Sequence, residues 1–150
     1  MADKISAAAR SQNMAAIKSK DTTPELYIRK GLYKLGYRYR KNYAGIIGSP
    51  DIWLGKYNTA IFIHGCFWHR HKNCKYAYTP KSRKDFWLTK FERNVARDEE
   101  VFLQLKQQGI KTLIIWECTV KEMQHSKDAE NSCFDRIEAF LNTKESYLEI

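Results

Sequence analysis

The stretch FIHGCFWHRHKNC at residues 62–74 gathers the side chains best suited to chemistry, with three of the chain's four histidines and two of its four cysteines. Cys66, His71 and Cys74 follow a C-x4-H-x2-C spacing, and Cys118 comes soon after the apolar segment TLIIW, which a sheet could bring back to the same place. Three thiolates and one imidazole would give a closed tetrahedral zinc site of the structural kind. The alternative is a set of ordinary buried free cysteines.

The other histidines of this stretch, His64 and His69, are available for a second function because a closed zinc site has no open position for chemistry. Upstream, Asp51 follows a proline at the start of one strand-like segment, and His64 ends the next one. Antiparallel pairing would set these two side chains side by side. A carboxylate at that place can bind Mg²⁺, which prefers a few oxygen ligands together with waters and phosphate. Alternatively, Asp51 is a turn or cap residue and each histidine makes a structural hydrogen bond.

The elements that would position these residues are indicated by hydrophobic periodicity and by helix and turn signals. Thr23 and Pro24 predict the start of the first helix, and Gly36 predicts its end. The predicted elements are helix 24–35, strands 37–41, 51–55 and 59–64, helix 83–108, strand 112–116 and helix 132–142. This order predicts an α/β fold in which helices cover a mixed β-sheet.

Composition favours nucleic acid as the partner, since 26 Lys and Arg stand against 17 Asp and Glu and leave a formal charge of +9. The 150 residues are 43% hydrophobic, enough for one domain covering residues 1–150. Residues 1–20 are small, polar and basic, which favours an arm that orders on DNA, although a frayed terminus is the alternative. No apolar run is long enough to cross a bilayer, so we expect a cytoplasmic, nucleoid-associated protein without a membrane partner.

Several motifs of the sequence, taken together, resemble those of a known protein family. In chain order they are NMAAIKSKDTTPE, PD, FIHGCFWHRH with a following cysteine, RKDFW, KFERNVARD and IIWEC. With this combination, from about residue 10 to about residue 118, the sequence resembles the very short patch repair (Vsr) mismatch endonuclease family. The resemblance implies a fold like that of type II restriction endonucleases. It also implies Mg²⁺-dependent nicking of double-stranded DNA beside the thymine of a T:G mismatch, which arises when 5-methylcytosine deaminates.

The resemblance also implies roles for individual residues. Asp51 matches the family's Mg²⁺-binding aspartate, with the backbone carbonyl of Ile63 as a further ligand, and Glu25 matches an acidic residue that supports the metal waters. His69 matches the general base that takes a proton from the attacking water, and His64 matches a histidine that assists at the scissile phosphate. Better-known members have threonine in place of Ile63, a change without consequence if only the carbonyl contacts the metal.

The resemblance further implies which residues bind zinc and which contact DNA. The zinc ligands of the family match the same four residues that their spacing indicates: Cys66, His71, Cys74 and Cys118. Relative to the family pattern, this chain has one extra residue between His71 and Cys74. The family's intercalating residues, which would wedge into the weakly stacked mismatched step, match Met14, Phe67, Trp68 and Trp87. Core packing is the alternative for these side chains, above all for Trp87. Arg70 would be a cation beside the scissile phosphate.

The sequence thus predicts a monomeric, Mg²⁺- and Zn²⁺-containing endonuclease that nicks mismatched DNA and works alongside mismatch-repair proteins. One alternative is a zinc-stabilised DNA-binding module without catalysis, which would have no need of Asp51, His64 and His69 together. A second alternative is a restriction or homing-type nuclease on paired DNA, against which the aromatic wedges argue weakly.

Overall fold

The structure is a computed structural model that describes residues 20–150. Its elements, in chain order, are α1 (Thr23–Lys34), β1 (Arg40–Lys41), β2 (Ile52–Leu54), a 3-10 turn (Gly55–Tyr57), β3 (Thr59–His64), α2 (Cys66–His69), α3 (Lys84–Gln107), β4 (Lys111–Trp116), α4 (Glu117–His125), α5 (Lys127–Leu141) and β5 (Tyr147–Glu149). Every predicted helix and strand is present, although the first strand is shortened to two residues. The sequence did not predict the short α2, α4 or β5.

The five strands form one sheet in the order β1-β2-β3-β4-β5. The first three strands are antiparallel neighbours, whereas β3, β4 and β5 run parallel. Parallel neighbours require a crossover connection, and helices supply it: α2 and α3 lie between β3 and β4, and α4 and α5 lie between β4 and β5. The prediction of a mixed sheet flanked by helices is confirmed.

Helices cover both faces of the sheet because successive residues of a strand point to opposite sides. Leu113 of β4 packs in one core cluster with Ile28 of α1 and Ile137 of α5. The next residue, Ile114, packs in a second cluster with Leu105 of α3 on the other face. β4 is therefore buried on both sides, as its continuous apolar sequence predicts.

The start of α1 carries a capping arrangement that orients an acidic side chain. The cap residue is Thr22, and the prediction of Thr23 was wrong by one position. Thr22 Oγ1 accepts a hydrogen bond from the Glu25 N–H at 3.4 Å, while Glu25 Oε2 accepts one from the Asp21 N–H at 2.7 Å. Thr23 is the first helical residue and Pro24 the second, still within the first turn, where the missing N–H of proline costs no intrahelical hydrogen bond.

The hairpin of β2 and β3 sets the position of Asp51. The 3-10 turn and Asn58, whose φ is 51°, join the two strands. The antiparallel register pairs Ile52 with Ile61, so the residue just before β2 lies beside the end of β3.

Two sequence predictions, the absence of a membrane-spanning segment and the arm at residues 1–20, can be compared only with the residues that the structure describes. Among residues 20–150, no helix is long and apolar enough to cross a membrane. The arm predicted at residues 1–20, with Met14, lies outside the described residues except for its last residue. Its ordering on DNA therefore stays a prediction.

Candidate active site and metal cluster

Four side chains of metal-ligand type come together where β3 and β4 end. Cys66, His71, Cys74 and Cys118 place their ligand atoms within 4.8 Å of one another. His71 Nδ1 lies 3.6 Å from Cys66 Sγ and 3.4 Å from Cys118 Sγ. A tetrahedron built with zinc bond lengths has edges of about 3.5–3.8 Å. The donor set and its spacing therefore fit one tetrahedral metal ion, and the grouping predicted from the sequence is confirmed.

Two helix starts and an indole ring hold this cluster in place. Cys66 opens α2, and Cys118 lies in the first turn of α4, directly after β4. The ring of His71 stacks on Trp116 with 4.2 Å between ring centroids and 7° between planes. Trp116 Nε1 donates a hydrogen bond to Glu149 Oε1 at 2.9 Å. The C-terminal strand β5 thus braces the indole that supports His71.

Beside the cluster lies a cleft of about 610 Å³, and its lining includes every catalytic residue that the sequence analysis named, together with Ile63, the expected backbone ligand of Mg²⁺: Glu25, Asp51, Ile63, His64 and His69. Asp51 Oδ2 accepts a hydrogen bond of 2.7 Å from the Ile63 N–H. The start of β2 and the end of β3 therefore do lie side by side. The Ile63 side chain packs against the core, which favours a role for its backbone rather than its side chain.

The charge on Asp51 depends on its surroundings. Burial is the main cause that raises the pKa of Asp51 to about 7, and the adjacent Glu25 acts in the same direction, whereas the Ile63 N–H and Arg29 act against it. Two carboxyl groups in one site cannot both ionise cheaply. Without a metal, a proton on Asp51 relieves the repulsion between the two carboxyl groups. A divalent cation would compensate their negative charge in place of that proton.

A buried guanidinium organises the acidic end of the cleft. Arg29 Nη1 donates to Asp21 Oδ1 at 2.6 Å. Its Nη2 donates to Glu25 Oε2 at 3.3 Å, to Asn42 Oδ1 at 3.1 Å and to the Asp51 carbonyl oxygen at 3.2 Å. Arg29 thus ties α1 to the start of β2. The sequence analysis missed it, because its partners come from separate segments of the chain.

The two histidines of the cleft form a stacked pair, with 3.7 Å between ring centroids and 8° between planes. Burial, together with nearby His69, lowers the pKa of His64 to about 2, so His64 is neutral at physiological pH. His69 Nδ1 lies 2.6 Å from Asp98 Oδ2. Because a carboxylate can only accept a hydrogen bond, we assign the proton of this contact to Nδ1, which leaves the lone pair of Nε2 in the neutral ring to accept another. Asp98 was also missed, although it lies in the motif KFERNVARD.

A second metal ion is an alternative use of this trio, since the ligand atoms of His64, His69 and Asp98 also lie within 4.8 Å of one another. However, two ligands of one ion at zinc distances stand about 3.3 Å apart. The contact between His69 and Asp98, at 2.6 Å, is a direct hydrogen bond. The geometry therefore favours a hydrogen bond between His69 and Asp98 over a metal ion shared by the trio.

The predicted wedge residues differ in exposure. Phe67 and Trp68 of α2 are partly exposed, with 5.1 Å between their ring centroids. Trp87 is only 6% exposed, and its ring centroid lies 5.5 Å from that of Phe67 and 5.8 Å from that of Phe91. We call Phe67, Trp68, Trp87 and Phe91 the aromatic cluster. A DNA contact by Trp87 would require this cluster to open, whereas its neighbour Phe86 is already 47% exposed.

Arg70, predicted beside the scissile phosphate, makes its contacts with protein. Its guanidinium donates to main-chain oxygens of the loop that follows α2. Its Cζ atom lies 3.8 Å from the centroid of the Phe91 ring. These contacts favour a role in holding the loop.

Comparison with known proteins identifies the family to which the chain belongs. The chain matches the family model described as DNA mismatch endonuclease Vsr over residues 2–76. It is 46% identical over 121 residues to the type II nicking enzyme V.NmeAIP of Neisseria meningitidis serogroup A, covering 81% of this chain and 86% of that protein. It is 37% identical over 123 residues to V.XorIIP of Xanthomonas oryzae pv. oryzae, covering 82% and 90%.

A third relative is the DNA mismatch endonuclease Vsr of Escherichia coli K12, which is 36% identical over 141 residues, or 94% of this chain and 88% of that protein. The match thus extends well beyond the metal cluster motif. The chain belongs to the Vsr family of DNA mismatch endonucleases and is a DNA strand-cleaving enzyme.

Proposed function

We propose that this endonuclease nicks one strand of double-stranded DNA next to the thymine of a T:G mismatch and uses Mg²⁺ to do so. The observation that carries the proposal is the fixed carboxylate of Asp51 in the same cleft as the His69–Asp98 pair. Phosphodiester hydrolysis needs charge neutralisation at the phosphate and a base for the attacking water, and these groups supply both. The relative from Escherichia coli is named a mismatch endonuclease, which supports the substrate.

The acidic end of the cleft fits a hard divalent cation, because the donors of Asp51, Glu25 and the Ile63 carbonyl are oxygens. Asp51 and the carbonyl of Ile63 would hold Mg²⁺, with Glu25 binding its waters. The Ile63 N–H fixes one Asp51 oxygen and leaves the other for a cation. When bound, Mg²⁺ supplies charge neutralisation at the phosphoryl oxygens and at the leaving 3′ oxygen.

Proton transfer is assigned to His69. Its Nε2 accepts the proton of the attacking water, while Asp98 holds Nδ1–H and stabilises the imidazolium that forms. Neutral His64, stacked on His69, adds no positive charge against that imidazolium. We assign to His64 the hydrogen bond at the scissile phosphate that the family resemblance implies.

We assign zinc to the four-residue cluster, since three thiolates and an imidazole are typical structural zinc ligands. Zinc would cross-link the α2 loop to the start of α4, and so fix the helix that carries Phe67, Trp68 and His69. The mixed sheet, with Asp51 at the start of its hairpin, also supports the assignment to a restriction-endonuclease-like fold. Monomeric action and mismatch-repair partners remain predictions of the sequence.

Mismatch selectivity follows from the cost of opening the duplex. A mispaired step is cheaper to unstack than a paired one, so apolar wedges gain more from it. Phe67 and Trp68 stand partly exposed on α2, the same helix that carries His69. Insertion near α2 would therefore bring the adjacent phosphate toward the cleft. Met14 would act from the arm.

The substrate proposal is tested with a panel of duplexes that differ in one base pair, T:G, T:A or C:G, in several flanking contexts. We expect nicking with Mg²⁺ on T:G duplexes and little on either paired control. Equal nicking of all three duplexes would instead indicate a restriction or homing-type enzyme. Binding without nicking in every context would exclude the catalytic role of the cleft.

Asp98→Asn should slow single-turnover nicking by about a hundredfold or more, because an amide neither stabilises the imidazolium nor enforces the tautomer of His69. The Mg²⁺ concentration for half-maximal rate and the affinity for DNA should stay close to wild type, because Asp98 does not contact the proposed metal ligands. Glu99→Gln, an exposed acid-to-amide change next to it on α3, is the control. A fully active Asp98→Asn enzyme would contradict the assignment.

Thermal unfolding at different pH values should show that a proton and Mg²⁺ compete for Asp51. The unfolded carboxyl loses its proton near its ordinary pKa of 3.8, whereas the folded one keeps it to about 7. Its stabilising contribution is thus complete below the unfolded pKa and is lost as pH rises toward 7. Because Mg²⁺ replaces that proton, the increase in Tm on adding Mg²⁺ should be larger at pH 8 than at pH 6. The same increase at both pH values, or none in wild type, would argue against a metal at Asp51.

A further inference from the structure

One exposed aromatic side chain extends the aromatic cluster but has no role in the proposed function so far. Tyr78 lies in the loop between α2 and α3 and is 51% exposed. Its ring centroid lies 5.2 Å from that of Phe67, with 40° between the ring planes. Tyr78 therefore continues the row of rings from the partly exposed end of α2 out to solvent.

The loop that carries Tyr78 is held by Arg70. Arg70 has a left-handed backbone conformation, with φ of 56°, at the end of α2. Its Nη1 donates to the Phe67 carbonyl at 3.1 Å and to the Tyr78 carbonyl at 2.9 Å. Its Nη2 donates to the Ala77 carbonyl at 2.7 Å and to Thr79 Oγ1 at 3.2 Å. One guanidinium thus binds both the helix end beneath Phe67 and the backbone beneath Tyr78.

The segment of the chain that contains Tyr78 has the charge that a polyanion requires. Residues 70–93 contain eight Lys and Arg against two Asp and Glu, a net charge of +6. Two cations of this segment lie over rings that are exposed or partly exposed, with Arg83 Cζ 4.4 Å from the Phe86 ring centroid and Lys90 Nζ 5.9 Å from that of Trp68. Exposed rings interleaved with cations suit a nucleic acid whose bases are partly unstacked.

We propose that Tyr78 is a further DNA-contacting residue, which stacks on a base unstacked at the mismatched step, and that Arg70 positions it. The inference rests on the proposed function, since it places Tyr78 next to Phe67 and Trp68 in the same wedge. Arg70 acts through the protein contacts described above, and its own guanidinium does not bind a phosphate.

The first test compares the affinity of Tyr78→Ala and wild type for T:G and matched duplexes, measured by fluorescence anisotropy in EDTA so that no cleavage occurs. We expect Tyr78→Ala to weaken T:G binding about fivefold or more, because stacking on one base contributes that much. Tyr78→Phe should keep nearly full affinity. The control is Tyr33→Ala, another exposed tyrosine with a cation beside it but on α1.

The second test separates a positioning Arg70 from one that binds phosphate. In a double-mutant cycle, Arg70→Gln and Tyr78→Ala should be strongly non-additive, because both remove the same stacking contact. The slope of log affinity against log salt should stay at the wild-type value in Arg70→Gln, whereas loss of a phosphate contact would reduce it by about 1. Additive effects, or a reduced slope, would overturn the positioning role.

The outcomes also distinguish this inference from the proposed function. If wild type binds T:G and matched duplexes equally, mismatch selectivity fails, and the affinity of Tyr78→Ala still decides whether Tyr78 contacts DNA. If wild type prefers T:G and Tyr78→Ala binds it as tightly as wild type does, the role of Tyr78 is excluded while the proposed function stands. Circular dichroism and metal content of each variant show that it is folded.

Discussion

Replacing Asp51 by asparagine should lower single-turnover nicking by about a thousandfold or more, while the affinity for duplex DNA measured in EDTA stays nearly unchanged. The amide has the shape of the carboxylate, and its oxygen can still accept the Ile63 N–H. It lacks the negative charge that would hold a divalent cation at the phosphate, and loss of such charge stabilisation is costly to the rate. Nicking of an end-labelled T:G duplex over a range of Mg²⁺ concentrations measures the effect.

The matched control is Asp135→Asn, the same change at an exposed position on α5. It should nick at the wild-type rate. Wild-type activity in Asp51→Asn would exclude Asp51 as a metal ligand. Unfolding of Asp51→Asn would instead show that the carboxyl group of Asp51 is needed for the fold.

Loss of the zinc cluster should have the largest effect on stability. We expect about one zinc per purified chain, and Cys118→Ser or a strong chelator should remove it and lower the Tm by at least about 10 °C. The reason is that the free energy of metal binding contributes to folding, and without the metal the cross-link between α2 and α4 is absent. Burial also raises the pKa of the Cys66 thiol to about 12, so this thiol stays protonated without a metal.

Zinc content by atomic absorption and Tm by circular dichroism measure this prediction. The control is Cys133→Ala, because Cys133 is a buried free cysteine of α5 that lies outside the cluster. This variant should keep its zinc. Purified wild type without zinc, or Cys118→Ser with full zinc and unchanged Tm, would contradict the assignment.

The sequence predicted the zinc-type cluster and the hairpin well because both depend on local or unambiguous signals. The strand at 59–64 has the predicted bounds, and its antiparallel pairing brings Asp51 to Ile63. Cys and His at metal spacing have few other uses in a chain of this type. The start of α4 next to β4 then places Cys118 in the cluster.

Residues whose role depends on packing between distant elements were not predictable in this way. Asp98 reaches His69 only because α3 packs beside α2, and a single acid on a long helix carries no signal of that contact. Trp87 and Phe86 are adjacent on α3, and the packing of the helix buries the first and exposes the second. β5 was missed because its three residues are largely exposed, and only its pairing with β4 makes it a strand.

The most direct test of the account follows each strand of one T:G duplex separately, with a label at the 5′ end of either the thymine strand or the guanine strand. The protein is incubated with each substrate in Mg²⁺ and in EDTA, beside the T:A duplex of the same sequence. We predict one product, from the thymine strand of the mismatched duplex, in Mg²⁺ only. Cleavage in EDTA, cleavage of both strands, or equal cleavage of the T:A duplex would contradict it.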